Sequence, residues 1–352
     1  MRFNPRGNGA AHSSLSSYKI LRRGDIAFEG NRHRAHPFGQ LVINDIGDGL
    51  MSSRFQSIRP KAPCVIPFWK YLLQNERGMR HLLIRSTKSG TLMNEFVFDD
   101  FSRQSIPLPE EREQEKIGTL FKLLDSIIAA EKRKLDLLQK KKRALLRQIF
   151  EQKLRFAGYN NPWERCRLGD ITEFADYGIA ASAIPYDGTV RYLRITDIDD
   201  ETRQVNIYEL PSPDMKHRSR KEDYLRQGDL VFARTGASVG KTYLNRSDRD
   251  DIVHAGFLIR FRLKDNICPE FIYQQTLGEN YRKFIAITSQ RSGQPGINSS
   301  EYADWTLYLT SIEEQNQIGG LFGQLDELIA ALTQKIDLLM IKKKALLQQM
   351  FV

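Results

Sequence analysis

The chain has 352 residues and a formal net charge of +10 at neutral pH. A hydrophobic content of 41% and an aromatic content of 10% suffice for packed cores, and the length predicts two or three domains. The positive charge favours an anionic partner, most often a nucleic acid. The three cysteines lie far apart, which argues against a disulfide framework or a metal site and fits a reducing cytoplasm. No apolar run approaches about 18 residues, so neither a transmembrane helix nor a membrane partner is predicted.

Hydrophobic patterning along the chain predicts that globular segments alternate with long helices. The N-terminal segment is rich in Gly, Ser, Asn and Arg and lacks the apolar core of a signal peptide, so it is predicted to be disordered. The predicted divisions are a disordered segment at residues 1–17, a first globular domain at 18–106, a central long helix with its linker at 107–158, a second globular domain at 159–309 and a C-terminal long helix at 310–352.

The long amphipathic segment Glu113–Phe150 occurs a second time as Glu314–Phe351, at an offset of 201 residues (314 − 113). Of the 38 aligned positions, 22 are identical. An internal repeat of this kind determines the architecture. Equal length and a shared heptad phase predict that the two helices pack antiparallel against each other. About 40 residues at 1.5 Å each would form rods of roughly 60 Å.

Alternating steps of four and three residues along each copy select an apolar seam, which is typical of a coiled coil. Lys142 and Lys343 interrupt the seam at matching positions. Either their stems pack while their ammonium groups reach water, or they fix the register of the helix pair. The seam residues predicted to join the helices are Ile117, Phe121, Leu124, Ile128, Leu135, Leu138 and Leu145 in the first copy, and Ile318, Phe322, Leu325, Ile329, Leu332, Ile336, Leu339 and Leu346 in the second.

The globular segments also repeat, although unequally. Residues 21–28 match residues 225–232, and each is a turn followed by a short apolar strand. An amphipathic helix is predicted in each segment, at residues 68–84 and 269–287. The first segment has no counterpart of residues 168–222, so the first domain is predicted to be shortened. Both segments mix strand and helix patterns, which indicates an α+β class.

No motif of the chain predicts catalysis. Gly236–Thr242 resembles a phosphate-binding P-loop, but it has three residues between its glycines where that motif has four, and no amphipathic helix follows. Asn160–Trp163 resembles an amino-methyltransferase signature, but Asn161 stands where that signature has proline. The histidines lack metal-ligand spacing and there is no nucleophile elbow, so we predict neither a catalytic residue nor a metal site.

The order of globular domain, long helix, globular domain and long helix resembles the DNA-specificity subunits of Type I restriction–modification systems. Glu314–Gln315 before the C-terminal helix and the segments Gly228–Val231 and Leu168–Ile171 share in the resemblance, which covers nearly all of the chain after about Tyr18. It implies an α+β fold in which two target-recognition domains alternate with two long antiparallel coiled-coil helices as a pseudo-twofold repeat. It also implies a non-catalytic subunit that binds double-stranded DNA and directs methylation and restriction to a bipartite site.

The same resemblance implies partner subunits and their cofactors. Methylation subunits that bind S-adenosylmethionine would dock on outward faces of the helices, where we expect Gln148, Gln349 and the nearby basic runs to take part. A restriction subunit with motor and nuclease activity would use ATP and Mg²⁺, while this chain itself binds no cofactor. Because the first domain departs from the family pattern by its shortness, we expect it to be a weakened or silent reader of DNA.

Two loops of the second domain, residues 234–242 and 289–294, mix the cations, amides and small side chains that contact phosphates and base edges. Lys241 is predicted to contact phosphate, whereas Gln290 and Arg291 are predicted to contact bases. The predicted DNA-binding residues are Arg194, Thr196, Arg234, Ser238, Lys241, Thr242, Ser289, Gln290, Arg291 and Gln294 in the second domain, and Arg32, Arg34 and Lys88 in the first.

Two other classes of protein remain open on the sequence alone. One is a coiled-coil scaffold or assembly protein without sequence-specific DNA reading, which a salt-dependent DNA-binding assay would separate. The other is a free-standing enzyme such as a fused methyltransferase–nuclease, which an assay of the isolated chain for methyl transfer would separate.

Overall fold

The structure is a computed structural model, and it describes residues 12–31, 33–34, 36–91, 93–214, 223–291 and 293–351. The chain divides into two compact units, of which unit 1 comprises Met1–Lys134 and Thr333–Val352 and unit 2 comprises Leu135–Leu332. The division passes through both long helices, whereas the sequence predicted boundaries at their ends. Each unit therefore combines a globular part with one segment of each long helix.

Unit 1 contains a three-stranded antiparallel sheet in the order β3-β2-β5, together with the strand pairs β1-β4 and β6-β7. Its strands are β1 (Lys19–Leu21), β2 (Ile26–Glu29), β3 (Gln40–Ile43), β4 (Gly49–Met51), β5 (Gln56–Ile58), β6 (Thr87–Ser89) and β7 (Asn94–Phe96). Its helices are α1 (Ile66–Gln74), α2 (Glu76–Ser86), α3 (Phe98–Ser102) and the first part of α4 (Glu111–Phe150). Residues 12–17, which the sequence predicted to be disordered, form a short 3-10 helix; residues 1–11 lie outside the described part.

Unit 2 contains a four-stranded antiparallel sheet in the order β14-β13-β16-β9. Beside it lie the antiparallel pairs β10-β12 and β17-β8 and the parallel pair β11-β15. The strands are β8 (Glu164–Arg167), β9 (Thr172–Tyr177), β10 (Ala183–Ile184), β11 (Arg191–Leu193), β12 (Ser212–Pro213), β13 (Leu230–Ala233), β14 (Thr242–Leu244), β15 (Ile252–His254), β16 (Leu258–Leu263) and β17 (Thr306–Leu309). The helices are α5 (Pro269–Thr276), α6 (Glu279–Thr288), α7 (Ser299–Ala303) and α8 (Ile312–Met350), which continues into unit 1.

The amphipathic helix predicted in each globular segment is in fact two helices. In unit 1 the break falls at Asn75, whose side chain accepts a hydrogen bond from the Gly78 N–H at 3.2 Å and so caps α2. In unit 2 the break falls at Gly278, the N-cap of α6. Each break lets the chain turn while its apolar face continues, which hydrophobic periodicity alone does not reveal.

The central sheets of the two units have the same local design. Gly24 and Gly228 precede β2 and β13 with φ of 94° and 91°, a left-handed conformation that favours glycine. Each is followed by a buried aspartate, Asp25 or Asp229, whose carboxylate accepts the backbone N–H three residues earlier at 2.8 or 2.7 Å. The matching segments 21–28 and 225–232 of the sequence thus form the same turn in both units.

Unit 2 has strands that the described part of unit 1 lacks. In unit 2, β9 pairs with the free side of β16, and β11 pairs with β15. No described strand of unit 1 pairs with the corresponding sides of β5 and β4. As a result Leu50 in β4 is 57% exposed, whereas Val253 at the same position of β15 is fully buried. The described part of unit 1 therefore has no counterparts of β9 and β11, which lie within residues 168–222.

Within each unit, the segments of α4 and α8 run antiparallel. In unit 1, Lys335 contacts Glu131 at 2.5 Å, and Phe121 packs against Phe351 at a ring distance of 5.8 Å. The later residue of α4 thus contacts the earlier residue of α8, as antiparallel helices require. In unit 2, Phe150 packs against Phe322 at 6.1 Å. These side chains and those of the globular parts enclose the heptad faces.

The predicted seam residues lie on those enclosed faces. Buried members are Ile117, Phe121, Ile128, Ile318, Phe322, Ile329, Leu332 and Ile336, and half-buried members are Leu124, Leu135, Leu138, Leu145, Leu325, Leu339 and Leu346. The exposed residues between them give each helix one solvent face, as an amphipathic period of 3.6 residues requires.

The two lysines that interrupt the seam form equivalent ion pairs. Lys142 Nζ lies 2.5 Å from Asp326 in unit 2, and Lys343 Nζ lies 2.5 Å from Asp125 in unit 1. The second oxygen of each aspartate accepts a hydrogen bond from the globular part, from Gln274 Nε2 at 2.9 Å in unit 2 and from the Tyr71 hydroxyl in unit 1. Burial, and next the hydrogen bond to Asp125, raise the pKa of Tyr71, so its hydroxyl stays a donor. We call these two clusters the lysine–aspartate joints.

Candidate nucleic-acid interface

The two loops that the sequence singled out in unit 2 meet on one surface. Thr235, just after β13, pairs with Gly296 in an isolated antiparallel bridge. The Gly236 N–H also donates to the Pro295 carbonyl at 2.9 Å. Because backbone hydrogen bonds join the loops, side chains from the two sequence regions can contact a single ligand. We call this the paired-loop surface, formed by residues 234–238 and 293–296.

Tyr302 of α7 holds the paired-loop surface from inside. Its side chain is fully buried, and its hydroxyl donates to the Ala233 carbonyl at 2.7 Å while it accepts the Gly240 N–H at 3.0 Å. Burial raises the pKa of the Tyr302 hydroxyl, so it remains protonated and able to donate. The loop after β13 is thus fixed at both ends, which supports precise placement of the residues it presents.

Arg234 is the cation at the centre of this surface. Its guanidinium carbon lies 4.8 Å from the centre of the Tyr177 ring, a cation–π contact. The Tyr177 ring is 45% exposed, and its hydroxyl accepts the Ser299 N–H at 3.1 Å. The described structure gives Arg234 no carboxylate partner within ion-pairing distance. Arg234 is half-buried, and no described carboxylate neutralises its positive charge, which suits contact with a phosphate or a base edge.

A turn between β15 and β16 adds an aromatic side chain beside Arg234. Residues 252–261 are a mostly apolar run that resembles one strand in the sequence, but residues 255–257 form a turn that separates two strands. The Arg234 N–H donates to the Phe257 carbonyl at 3.0 Å, and the Phe257 side chain is 64% exposed. Sequence reasoning missed Phe257 because an apolar residue in a strand-like run predicts a core position. The Ala255-Gly256 pair before it is the only local signal of a turn.

The predicted phosphate contact of Lys241 is corrected by the structure. The Lys241 side chain is only 6% exposed, and its Nζ donates to the Ile198 carbonyl at 2.7 Å and pairs with Asp200 at 2.5 Å. Thr242 is also buried, and its hydroxyl lies 2.8 Å from that of Thr276. Thr242 faces inward as the first residue of β14, whose three residues are all buried, and Lys241 is held inward by its contacts with Ile198 and Asp200. They act in the stability of unit 2 instead.

Other predicted contacts keep partners within the protein. Arg194 binds the Asp197 carboxylate through two nitrogens at 2.6 and 2.9 Å, and this hydrogen bonding raises the pKa of the guanidinium. Gln290 donates to the Ala286 carbonyl at 3.1 Å. Arg291 donates to the Thr288 carbonyl at 3.0 Å and pairs with Glu301. Of the remaining predicted residues of unit 2, Ser238 and Ser289 are half-buried, and Thr196 and Gln294 are exposed.

Unit 1 offers fewer groups at the equivalent positions. Arg34 and Lys88 are exposed, and Arg32 lies outside the described residues. The position of Arg234 is taken by Gly30, whose carbonyl accepts the Asn94 N–H as that of Arg234 accepts the Ile297 N–H. A Cβ atom on Gly30 would lie 2.1 Å from the Asn94 carbonyl oxygen, so no larger side chain fits without movement of the backbone.

The P-loop likeness of residues 236–242 has no structural support. Gly236–Ser238 form a 3-10 turn, and the chain continues into β14 rather than into a helix whose N-terminus could bind phosphate. Among the described residues there is no group of three or more His, Cys, Asp and Glu side chains that could hold a metal ion. No described helix is long and apolar enough to cross a membrane.

The family model described as Type I restriction modification DNA specificity domain matches residues 15–140 and 160–339, well over half of the chain. The chain belongs to this family. The match covers both globular parts and much of both long helices, so the family assignment agrees with the internal repeat. The resemblance found in the sequence is confirmed, and so is the α+β fold class.

Two relatives illustrate the similarity. The "Type I restriction enzyme HindI specificity subunit" of Haemophilus influenzae (strain ATCC 51907 / DSM 11121 / KW20 / Rd) is 30% identical over 112 residues, which are 31% of this chain and 24% of that protein. The aligned region thus spans about a quarter of that relative. A crystal structure of a Type I restriction–modification system S subunit from M. genitalium superposes with a TM-score of 0.64, over 96% of this chain and 85% of that one, at 13% identity. The two chains share a fold.

Proposed function

We propose that the chain is the DNA-specificity subunit of a Type I restriction–modification complex and that it directs methylation and restriction to a bipartite site. The observation that carries this proposal is the paired-loop surface, where Arg234 and the exposed Gln294 stand on a hydrogen-bonded backbone beside the exposed aromatic residues Tyr177 and Phe257. Such groups contact phosphates and base edges. Membership of the specificity-domain family and the net charge of +10 support it.

The division into two units suits recognition of a bipartite site. Each unit has its own globular part and its own lysine–aspartate joint, so each can place a reading surface independently. Unit 2 carries the larger set of candidate contacts, and we assign it the dominant part in sequence recognition. Unit 1, with Gly30 in place of Arg234, would contribute weaker contacts to phosphate.

The outward faces of the long helices are the proposed docking site for methylation subunits. Gln148 and Gln349 are exposed, as the sequence predicted for that role. The same helices expose apolar side chains that neither globular part covers, namely Leu123, Leu137, Leu328, Leu338 and Ile341. Exposed apolar side chains on a helix surface favour binding to another protein. We further propose that S-adenosylmethionine, ATP and Mg²⁺ bind to partner subunits and that this chain catalyses no reaction alone.

The test of this function is DNA binding by the full chain together with its methylation subunit. After the methylated motif has been mapped in cells, affinity is measured for duplexes with the intact and the scrambled motif. The wild-type complex should prefer the intact motif by about 10³-fold or more at physiological salt. Equal affinity for both duplexes would exclude sequence-specific recognition and favour the scaffold alternative.

Arg234→Ala tests the assignment of the surface. It should lower affinity for the intact motif by about tenfold or more, because it removes a positive charge from the proposed interface. Arg165→Ala removes an exposed arginine of β8 and serves as the charge-matched control. If both variants behave alike, the paired-loop surface is not the interface.

A further inference from the structure

Phe257 presents an apolar ring to solvent from a rigid backbone. Its ring is 64% exposed, yet the residues around it are fixed: Ala255 is 5% exposed and Leu258 is fully buried. The Leu258 N–H donates to the Ala255 carbonyl at 2.8 Å, and the Gly256 N–H donates to the Ile179 carbonyl at 2.8 Å. The turn is therefore held on both sides, and the exposure of the ring belongs to a defined backbone position.

The neighbours of Phe257 distinguish it from an isolated surface phenylalanine. Its carbonyl accepts the Arg234 N–H, and one guanidinium nitrogen of Arg234 lies 3.5 Å from the Gly256 carbonyl. Arg234 in turn contacts the exposed Tyr177 ring. An apolar ring beside a cation and a second ring is a combination that suits a nucleic-acid base, because bases offer apolar faces and methyl groups next to acceptor edges.

The described residues of unit 1 do not repeat this combination. The turn that follows β4 has the same backbone hydrogen bond, from the Phe55 N–H to the Ser52 carbonyl at 3.1 Å. Arg54 stands there at the position of Phe257 and is exposed. Gly30 replaces Arg234 beside it. A cation thus replaces the apolar ring, and the combination belongs to unit 2 among the described residues.

We propose that Phe257 is a base-contacting residue of unit 2, which meets the apolar surface of a DNA base while Arg234 meets an adjacent polar edge or phosphate. This inference rests on the proposed function and deepens it, because it names a residue and a type of contact. The apolar surface could be the 5-methyl group of thymine in the major groove or the face of an unstacked base.

The test uses the full chain in complex with its methylation subunit and the duplex that carries its mapped motif. Phe257→Ala should lower affinity for that duplex by about tenfold to a hundredfold and leave affinity for the scrambled duplex within about twofold. Tyr208→Ala is the control, since Tyr208 is an aromatic residue of the same unit with 74% exposure. It should change neither affinity. Because Phe257 is exposed, the melting temperature should stay that of the wild type.

The variant Phe257→Leu and chemically modified duplexes distinguish contact with a thymine methyl group from contact with the face of an unstacked base. If the ring contacts a thymine methyl group, one deoxyuridine substitution should weaken binding of the wild type but not of Phe257→Ala, and Phe257→Leu should retain most of the affinity. If the ring contacts the face of an unstacked base, the fluorescence of 2-aminopurine at that position should increase on binding of the wild type but not of Phe257→Ala. Phe257→Leu should then behave like Phe257→Ala. Either pattern supports the proposal.

Two outcomes would overturn the proposal in distinguishable ways. If Phe257→Ala binds the intact motif as tightly as Tyr208→Ala while the wild type discriminates between motifs, Phe257 contacts no base and the proposed function stands. If the wild type itself shows no preference for the motif, the proposed function fails and the role of Phe257 fails with it.

Discussion

Unit 1 and unit 2 attach their globular parts to the long helices through the same contacts. Phe121 in unit 1 and Phe322 in unit 2 are both fully buried, and they pack against Phe351 and Phe150, respectively. The globular parts join these clusters through Tyr71, which contacts Phe121, and Phe271, which contacts Phe150. The units differ at the outer surface, where unit 2 has Arg234 and unit 1 has Gly30. The attachment depends on close packing, which tolerates little change. A solvent-facing surface can change without loss of the fold.

The two lysine–aspartate joints also differ in how deeply they are buried. The side chains of Lys142 and Asp326 in unit 2 are 10% and 16% exposed, whereas those of Lys343 and Asp125 in unit 1 are 22% and 40% exposed. The same pair of charges thus lies in a drier environment in unit 2. Desolvated charges depend more strongly on their partners, so the two joints should respond differently to the same substitution.

The largest expected effect is common to both units. Phe121→Ala and Phe322→Ala should each lower the free energy of unfolding of their unit by about 3–5 kcal/mol, because each removes a fully buried ring. Hydrogen exchange read by mass spectrometry measures the opening of each unit from its own peptides. Each variant should affect mainly its own unit. A negligible effect in either unit would contradict the equivalence of the two attachments.

The second-largest expected effect is a loss of stability that differs between the two units. Asp326→Ala leaves Lys142 without its carboxylate in a largely buried place and should cost about 3 kcal/mol. Asp125→Ala, at the more exposed joint, should cost about 1 kcal/mol. Chemical denaturation of the two variants under one salt condition gives both values. A larger loss for Asp125→Ala than for Asp326→Ala would reverse the proposed order of burial.

Smaller stability effects are expected from alanine substitutions at two glycines of the long helices. A Cβ atom on Gly118 would lie 2.7 Å from the Phe68 backbone nitrogen, so Gly118→Ala should destabilise unit 1 by about 1–3 kcal/mol. A methyl group added at Gly320, in α8, would meet no described atom within 4 Å. Gly320→Ala should therefore stabilise its helix by up to about 1 kcal/mol, since alanine is the better helix former. Thermal melts of the two variants should shift in opposite directions, and a shared direction would contradict the close approach at Gly118.

Acid should weaken unit 2 through His254, a buried residue that Met51 replaces in unit 1. Burial lowers the pKa of His254 to about 4, from 6.5. Between these values the unfolded chain binds more protons than the folded one, so the free energy of unfolding falls as the pH falls, by about 1.4 kcal/mol per pH unit. His254→Met should remove this part of the pH dependence between pH 6.5 and 5. Identical pH slopes for variant and wild type in unit 2 would show that His254 is not buried in its neutral form.

The long helices and their seam were predictable from the sequence because heptad spacing and the repeat are local patterns. The phenylalanines of the seam and the lysines that interrupt it could be placed on one helix face from spacing alone. The carboxylate partners Asp125 and Asp326 could not, since pairing between antiparallel helices depends on their register. The division of the chain through the middle of both helices depends on the same tertiary contacts.

The candidate interface was only partly predictable. Sequence composition found the loops at Arg234 and Gln294, because cations, amides and glycines favour exposed loops. It could not show that Lys241 turns inward to Asp200, because a lysine has the same sequence signature in either orientation. It missed Phe257, since exposure of an apolar side chain follows from a tertiary turn and not from local pattern.

We propose that unit 2 recognises DNA sequence and that unit 1 contributes little to that recognition. The most direct measurement is the map of methylated bases in a strain that expresses this chain as its sole specificity subunit. We expect a methylated motif that is strictly defined on one side and degenerate on the other. A complete bipartite motif with both halves strictly defined would contradict this expectation, because unit 1 would then read sequence with Gly30 in place of Arg234.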